Sequence, residues 1–250
     1  MSEKPYGLFC PISKACEILE RRWTMPILAE MSCGTTRFND LRRGMPRISP
    51  TVLSKRLKEM EDQGLIERVI DKGSGTVDYM RTPRALELHP ILVALGHWAQ
   101  RNIDAEAALC DRDAPTLMWL LRRKVNSDEL PATRVVMRFH FTDAPKKKNN
   151  YWLIAKPGLA VDLCLSDPGF DVDLFVDSEI PILTGILFGR YSLPLELERG
   201  GLKLVGAPRL SRTINKWLSL SYFAPSASLA RMDEFAPISG FSELRVIDGK

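Results

Sequence analysis

Between Arg37 and Lys58 the chain carries seven basic residues, Arg37, Arg42, Arg43, Arg47, Lys55, Arg56 and Lys58, against a single acid, Asp40. A cluster of one sign and this density suits phosphate oxygens, which Lys and Arg meet by charge and hydrogen bond. Three hydroxyls lie in the same run, Ser49, Thr51 and Ser54. Such groups donate to or accept from base edges. A different chemistry is available at Cys10, which precedes Pro11. Placed at a helix N-terminus, that thiol would have a raised thiolate population. The remaining candidates are weaker. His89, His97 and His140 are scattered. Asp167, Asp171, Asp173 and Asp177 lack the calcium-loop spacing and its closing Glu, and turn and outward strand positions explain them. Lys146, Lys147 and Lys148 read most simply as a solvated loop. No GxGxxG, Walker loop, HExxH or GxSxG is present. The expectation is therefore no catalytic residue, no metal and no cofactor.

The basic cluster needs a scaffold, and the local sequence supplies one. Arg37 to Arg43 reads as a short helix, broken by Gly44-Met45-Pro46. Ser49 and Pro50 then open a second helix, since Ser is a favoured N-cap and Pro suits the first helical position. On that helix Leu53, Leu57, Met60 and Gly64 recur at helical spacing, flanked by Val52, and should face a core. Thr51, Lys55, Lys58 and Asp62 fall on the opposite side, with Ser54 at its edge. A lone helix of this kind is more often just a solvated amphipathic helix. Joined to a preceding helix by a tight turn, and basic, it has the footprint of a DNA reader.

After Gly64 the pattern becomes extended. Leu65 to Lys72 and Thr76 to Arg81 flank Gly73-Ser74-Gly75, a hairpin with a glycine tip. Helix-turn-helix followed by hairpin makes a winged helix, with Lys72, Ser74 and Arg81 along or near the wing. Thr82-Pro83 caps a further helix to about Asn102, which Pro90 should kink or split.

Residues 7 to about 103 resemble the HxlR-type winged-helix transcriptional regulators, relatives of the MarR group. The residues that carry the resemblance are Cys10-Pro11, Arg22-Trp23-Thr24, Ile27-Leu28, the block 37–43, the block 48–57, Gly64-Leu65-Ile66-Glu67-Arg68, and Pro90 with Trp98. It implies a homodimer on double-stranded DNA, built by the first and last helices of the domain. Ile12, Leu19, Leu92, Leu95 and Trp98 would supply its apolar area, although each equally suits the monomer core. It further implies that Cys10 could sense oxidants, the simpler reading being a small residue packed against the dimer partner. The wing tip, Gly-Ser-Gly, is less basic than in many such regulators.

Length and composition fit more than one domain. The chain has 250 residues, 45% hydrophobic and 26% charged, with a net charge of +4, so the positive field is local. No apolar run approaches the roughly 18 residues of a membrane span, and no signal peptide is read at the start. Five scattered cysteines, Cys10, Cys16, Cys33, Cys110 and Cys164, suit a reducing cytoplasm. A polar bridge over 105–114, with Asp104, Asp111 and Asp113, ends the first domain, expected at 1–104.

The second domain, expected over 114–221, begins with a helix from Pro115 to Lys124. Strands follow at Thr133–Thr142, Tyr151–Lys156, Ala160–Leu165 and Asp171–Val176, the first with strict alternation. Ser178 should cap a helix from Glu179 to Phe188. A fifth strand, Leu202–Val205, and a last helix, Pro208–Leu218, complete an α+β fold with a mainly antiparallel sheet. Residues 222–250 are left as a C-terminal tail. This half resembles a sterol-carrier-protein-2-type (SCP2-like) domain through Pro168–Asp173, Leu183–Arg190 and Gly200–Gly206. The resemblance implies an apolar tunnel lined by Val135, Met137, Phe139, Leu174, Ile186, Leu187 and Trp217. A plain core of the same residues is an equal reading.

The chain thus reads as a cytoplasmic, dimeric winged-helix regulator. Its expected DNA contacts are Arg37, Arg43, Ser49, Thr51, Ser54, Lys55, Arg56, Lys58, Lys72, Ser74 and Arg81. A hydrophobic small molecule in the second domain, or oxidation of Cys10, would modulate it. The alternative is a lipid- or hydrophobe-binding module whose winged helix makes protein contacts.

Overall fold

The structure, a computed structural model, describes residues 5–109 and 113–227. The first unit orders α1 (Pro11–Leu19), α2 (Thr24–Ser32), α3 (Phe38–Gly44), α4 (Pro50–Asp62), β1 (Ile66–Ile70), β2 (Val77–Arg81), α5 (Pro83–Leu86) and α6 (His89–Asn102). Its core gathers Ile27, Leu28, Met31, Leu41, Leu53, Leu57, Met60, Leu65 and Ile66. Strands β1 and β2 pair antiparallel in the register Ile66↔Arg81 to Ile70↔Val77, giving the expected wing. Thr82 caps α5 through the Ala85 amide at 3.3 Å. Pro90 falls in the first turn of α6, so the long helix is split; proline is harmless where amides have no intrahelical acceptor.

Helix α7 (Ala105–Ala108) leads to α8 (Ala114–Leu121), which opens the second unit. There follow β3 (Val135–Phe141), β4 (Asn150–Ala155), β5 (Asp162–Cys164), β6 (Leu174–Ser178), α9 (Ile180–Leu187), α10 (Leu193–Arg199), β7 (Leu202–Gly206), α11 (Pro208–Ser211) and α12 (Ile214–Trp217). The sheet order is β5-β4-β3-β6-β7. The β3–β6 pairing is parallel and the others are antiparallel, as in Phe139↔Val176 and Phe139↔Tyr151. Alternation on β3 sends Val135, Met137, Phe139 and Phe141 into a core shared with Met118, Leu153, Ile186 and Trp217.

Several expectations need correction. The strand expected at Asp171 starts three residues later, at Leu174. Asp173, just before it, is tied to Val136 twice, its amide donating to the Val136 carbonyl at 2.9 Å and its carboxylate accepting the Val136 amide at 2.8 Å. Ser178 does not cap α9: its hydroxyl donates to the carbonyls of Glu179 and Gly201, and the Asp143 carboxylate receives the Ile180 amide instead. Helix α10 was not expected. The last helix is two short turns, α11 and α12. Val52, placed beside the buried stripe, is exposed. Gly64 is no core residue either; at φ +67° it ends the α4 helix in the left-handed region.

The residues expected to line a tunnel are packed as core. Val135, Met137, Phe139, Leu174, Ile186, Leu187 and Trp217 are each at most 1% exposed and pack on one another. The Trp217 indole donates to the Leu210 carbonyl at 2.8 Å, fixing it as core. Of the expected tail, Phe223 and Ala224 pack on the fold: the Phe223 ring stands edge-on to His97 at 5.3 Å and Ala224 is buried. Residues 228–250, with Cys110 and Asp111, lie outside the described residues.

The two units meet along α3 and α8. The Glu30 carboxylate on α2 is the joint: it accepts from Trp119 Nε1 at 2.9 Å, Arg123 Nη1 at 3.2 Å and Thr35 Oγ1 at 2.8 Å. Burial pushes the Glu30 pKa up, but the bonds from Arg123, Trp119 and Thr35 outweigh it and hold the carboxyl below its ordinary value. Arg122 stacks over the Trp119 ring at 3.6 Å. A second seam joins α6 to the end of α9, where Gln100 donates to the Phe188 carbonyl and Arg190 to the Ile103 carbonyl at 3.1 Å.

Candidate nucleic-acid interface

Helix α4 is built to present its N-terminal half. Ser49 caps it, accepting the Val52 amide at 3.2 Å, and Pro50 fills the first turn. Leu53, Leu57 and Met60 are at most 1% exposed and anchor it to the core. The opposite face therefore turns outward: Thr51, Ser54, Lys55 and Lys58 are all exposed. The side chain of Lys55 is 75% exposed, and its ion-pair partner among the described residues is Glu59, at 4.0 Å.

The charge of α4 is graded along its length. Its first two turns show hydroxyls and Lys55, while its last turn carries Glu59, Glu61 and Asp62. Lys58 leans toward that acidic end, 2.8 Å from Asp62 and 3.3 Å from Glu61, and these partners raise its pKa. The helix dipole adds positive potential at the same N-terminal end. An anionic ligand is thus drawn to Thr51, Ser54 and Lys55 rather than to the helix as a whole.

The four arginines among the expected contacts fall into two kinds. Arg56 is on the inner edge of α4, its side chain 16% exposed, bonded to Glu59 at 2.6 Å, a carboxylate it shares with Arg21. Arg81 lies at the base of the wing and donates to Ser32 Oγ at 2.9 Å. Arg37, half exposed, reaches Asp78 on the wing strand at 3.1 Å. Arg43 pairs with Asp40 at 3.0 Å and keeps an exposed side chain. Arg56 and Arg81 are therefore structural ties, and only Arg37 and Arg43 of the four keep a largely open guanidinium.

The wing tip is held by Asp71, whose carboxylate accepts the amides of Gly73 and Ser74 at 2.8 and 2.7 Å and is kept ionised by those bonds. Lys72 and Ser74 are exposed there, and Ser74 Oγ lies 2.7 Å from Thr76 Oγ1. Arg68 is exposed on β1. The Glu30–Trp119–Arg123 joint was missed entirely; its members are 89 and 93 residues apart, and no local pattern marks such a pair.

Helices α1 and α6 contain no buried residue. Ile12 is 74% and Trp98 55% exposed, and Ile91, Leu95 and Trp98 form an open ridge at helical spacing on α6. Leu19 and Leu92 differ: they are half-buried against the first core. Cys10 is exposed at the start of α1, and the amides of Ser13 and Ile12 lower its thiol pKa.

Residues 18–107 match the model of the HxlR-like helix-turn-helix family. The chain is 37% identical over 97 residues to the HTH-type transcriptional regulator YvaP of Bacillus subtilis (strain 168), covering 38% of this chain and 90% of that protein. It is 30% identical over 109 residues to YybR, another HTH-type transcriptional regulator of that organism, covering 42% and 87%. Among solved structures it is similar to the redox regulator HypR in its reduced form, with 26% identity, 40% and 99% coverage, and a TM-score of 0.37. Among the described residues no helix is long and apolar enough to cross a membrane.

Proposed function

Because this chain belongs to the HxlR-like helix-turn-helix family, we propose that it is a sequence-specific, DNA-binding transcription regulator and not an enzyme. The observation that carries the reading is the exposed face of Thr51, Ser54 and Lys55 on a helix capped and anchored by the first unit. In this reading α4 enters the major groove, Thr51 and Ser54 meet base edges, and Lys55 and Lys58 meet phosphate. Arg37 and Arg43 flank it on the backbone, with Lys72 and Ser74 at the wing.

The working unit is a homodimer in the cytoplasm. The open ridge of Ile91, Leu95 and Trp98 on α6, and the exposed Ile12 on α1, support a second copy as their cover. Two α4 helices would then read half-sites about 34 Å apart. Residues 1–104 form the reading and pairing unit and 114–221 the attached α+β unit, whose sterol-carrier-like character remains part of the proposal. The alternative of a lipid-binding module loses support because the residues expected to line its tunnel are packed as core. Cys10, exposed and with a lowered pKa, keeps the chemistry of a redox site.

The test is an anisotropy titration of duplex DNA over a salt series with the full chain. Thr51→Ala combined with Ser54→Ala should erase the preference for specific over random duplex. Specific binding that survives both substitutions and Lys55→Ala would refute this use of α4.

A further inference from the structure

A cleft of about 330 Å³ lies between the two units. One wall is the turn between α3 and α4, with Met45, Pro46 and Arg47; the other is α8 and α9, with Leu117, Leu120 and Phe188. Protein interiors are close-packed, and voids of this size are few. The volume falls at the lower end of the range for small-molecule sites, roughly 300–1,000 Å³.

Three features mark it as a built site. Its wall is predominantly apolar, with Arg47, Asp113, Thr116 and Thr184 as the polar side chains lining it. It is pre-formed, because the Glu30 joint with Trp119 and Arg123 clamps the units beside it. Trp23, which also borders it, is the one non-glycine residue at positive φ (80°) among the described residues. Backbone strain of this kind persists where the surroundings over-determine it, and it gathers at ligand clamps and switches.

We propose that this cleft is the effector site: it takes a compact, uncharged, mainly apolar molecule, of about one aromatic ring, bearing one hydrogen-bonding group. One cation and one carboxylate at the rim, Arg47 and Asp113, leave no net charge to favour an ion. The proposal rests on the DNA-binding reading and deepens it. The turn that forms one wall runs directly into Ser49, the cap of α4. An occupant wedged between Met45 and Leu120 bears on that turn and tilts α4 against its groove. Only a ligand that binds one arrangement better than the other shifts the equilibrium; here the shifted arrangement is the one that binds DNA less well.

The test uses 4-fluorophenol as probe and the full chain. In fluorine NMR the wild-type protein should broaden the probe signal saturably, with magnetisation transfer to the Met45 and Leu120 methyls. Leu120→Trp fills the cleft and should abolish both. No saturable broadening, or broadening without transfer to those methyls, overturns the site, and the second readout needs no variant. Saturating probe should then weaken DNA binding of the wild type by about fivefold or more. Unchanged DNA affinity with the site occupied overturns the coupling. Absence of DNA binding before any probe is added is instead a failure of the underlying reading, and is seen separately.

Discussion

The two units treat their apolar residues in opposite ways. In the second, the sheet and its helices close over a filled core: Phe139, Leu153, Trp217 and their neighbours are nearly inaccessible, while Leu159, Leu165 and Val205 stay exposed outside it. In the first, α4 is anchored by three buried side chains, yet α1 and α6 leave whole faces open and bury no residue fully. Apolar ridges such as Ile91–Leu95–Trp98 cost free energy in water at about 25 cal/mol per Å², and contiguous ones mark contact surfaces. The second unit thus has a closed core, while the first leaves open the faces of α4 and α6 that the proposed function assigns to DNA and to another copy.

That contrast can be broken experimentally. The largest effect should come from Phe139→Ala in the closed core, a loss of about 3–5 kcal/mol in denaturant unfolding. A loss under about 1 kcal/mol would mean the second core is looser than its burial indicates. At the joint, Glu30→Gln should cost about 1.5–3 kcal/mol, since charged hydrogen bonds to Arg123 and Trp119 are weakened. The wild-type joint should also depend on acid. The Glu30 carboxyl is lowered on folding, so its contribution is complete above the unfolded value, about 4.3, and is lost as pH falls through the folded one. Glu30→Gln should remove that dependence from the melting profile.

Leu95→Ser with Trp98→Ala should leave monomer unfolding almost unchanged and shift light scattering from dimer to monomer. Equal loss in both would show that the ridge belongs to the monomer core. Lys55→Ala should lower the salt slope of DNA binding by about one, whereas Arg56→Ala should act on stability through Glu59. Ser49→Ala, the smallest, should cost about 1 kcal/mol by removing the α4 cap.

What was legible in the chain was local. The cap of α4 and its buried Leu53, Leu57 and Met60, the wing, the proline split before α6 and the inward Val135, Met137, Phe139 and Phe141 of β3 all depend on near neighbours in sequence, and all appear. What was not legible depends on distant partners. Arg56 reads like Lys55 until Glu59 and Arg21 are seen beside it. Arg81 is likewise claimed by Ser32, 49 residues away. Asp173, ahead of β6, is bonded through both its amide and its carboxylate to Val136, 37 residues away. Helix α10 was the avoidable omission, for Ser192 and Pro194 mark its start and Gly200, at φ +77°, its end.

The central claim is that α4 reads sequence in double-stranded DNA as part of a pair. A selection of the full chain against random duplex, at fixed salt and sequenced over several rounds, tests it most directly. The account predicts enrichment of an inverted repeat with half-sites about one helical turn apart. Salt-sensitive retention with no enriched motif would contradict it, reducing the basic face to a general anchor.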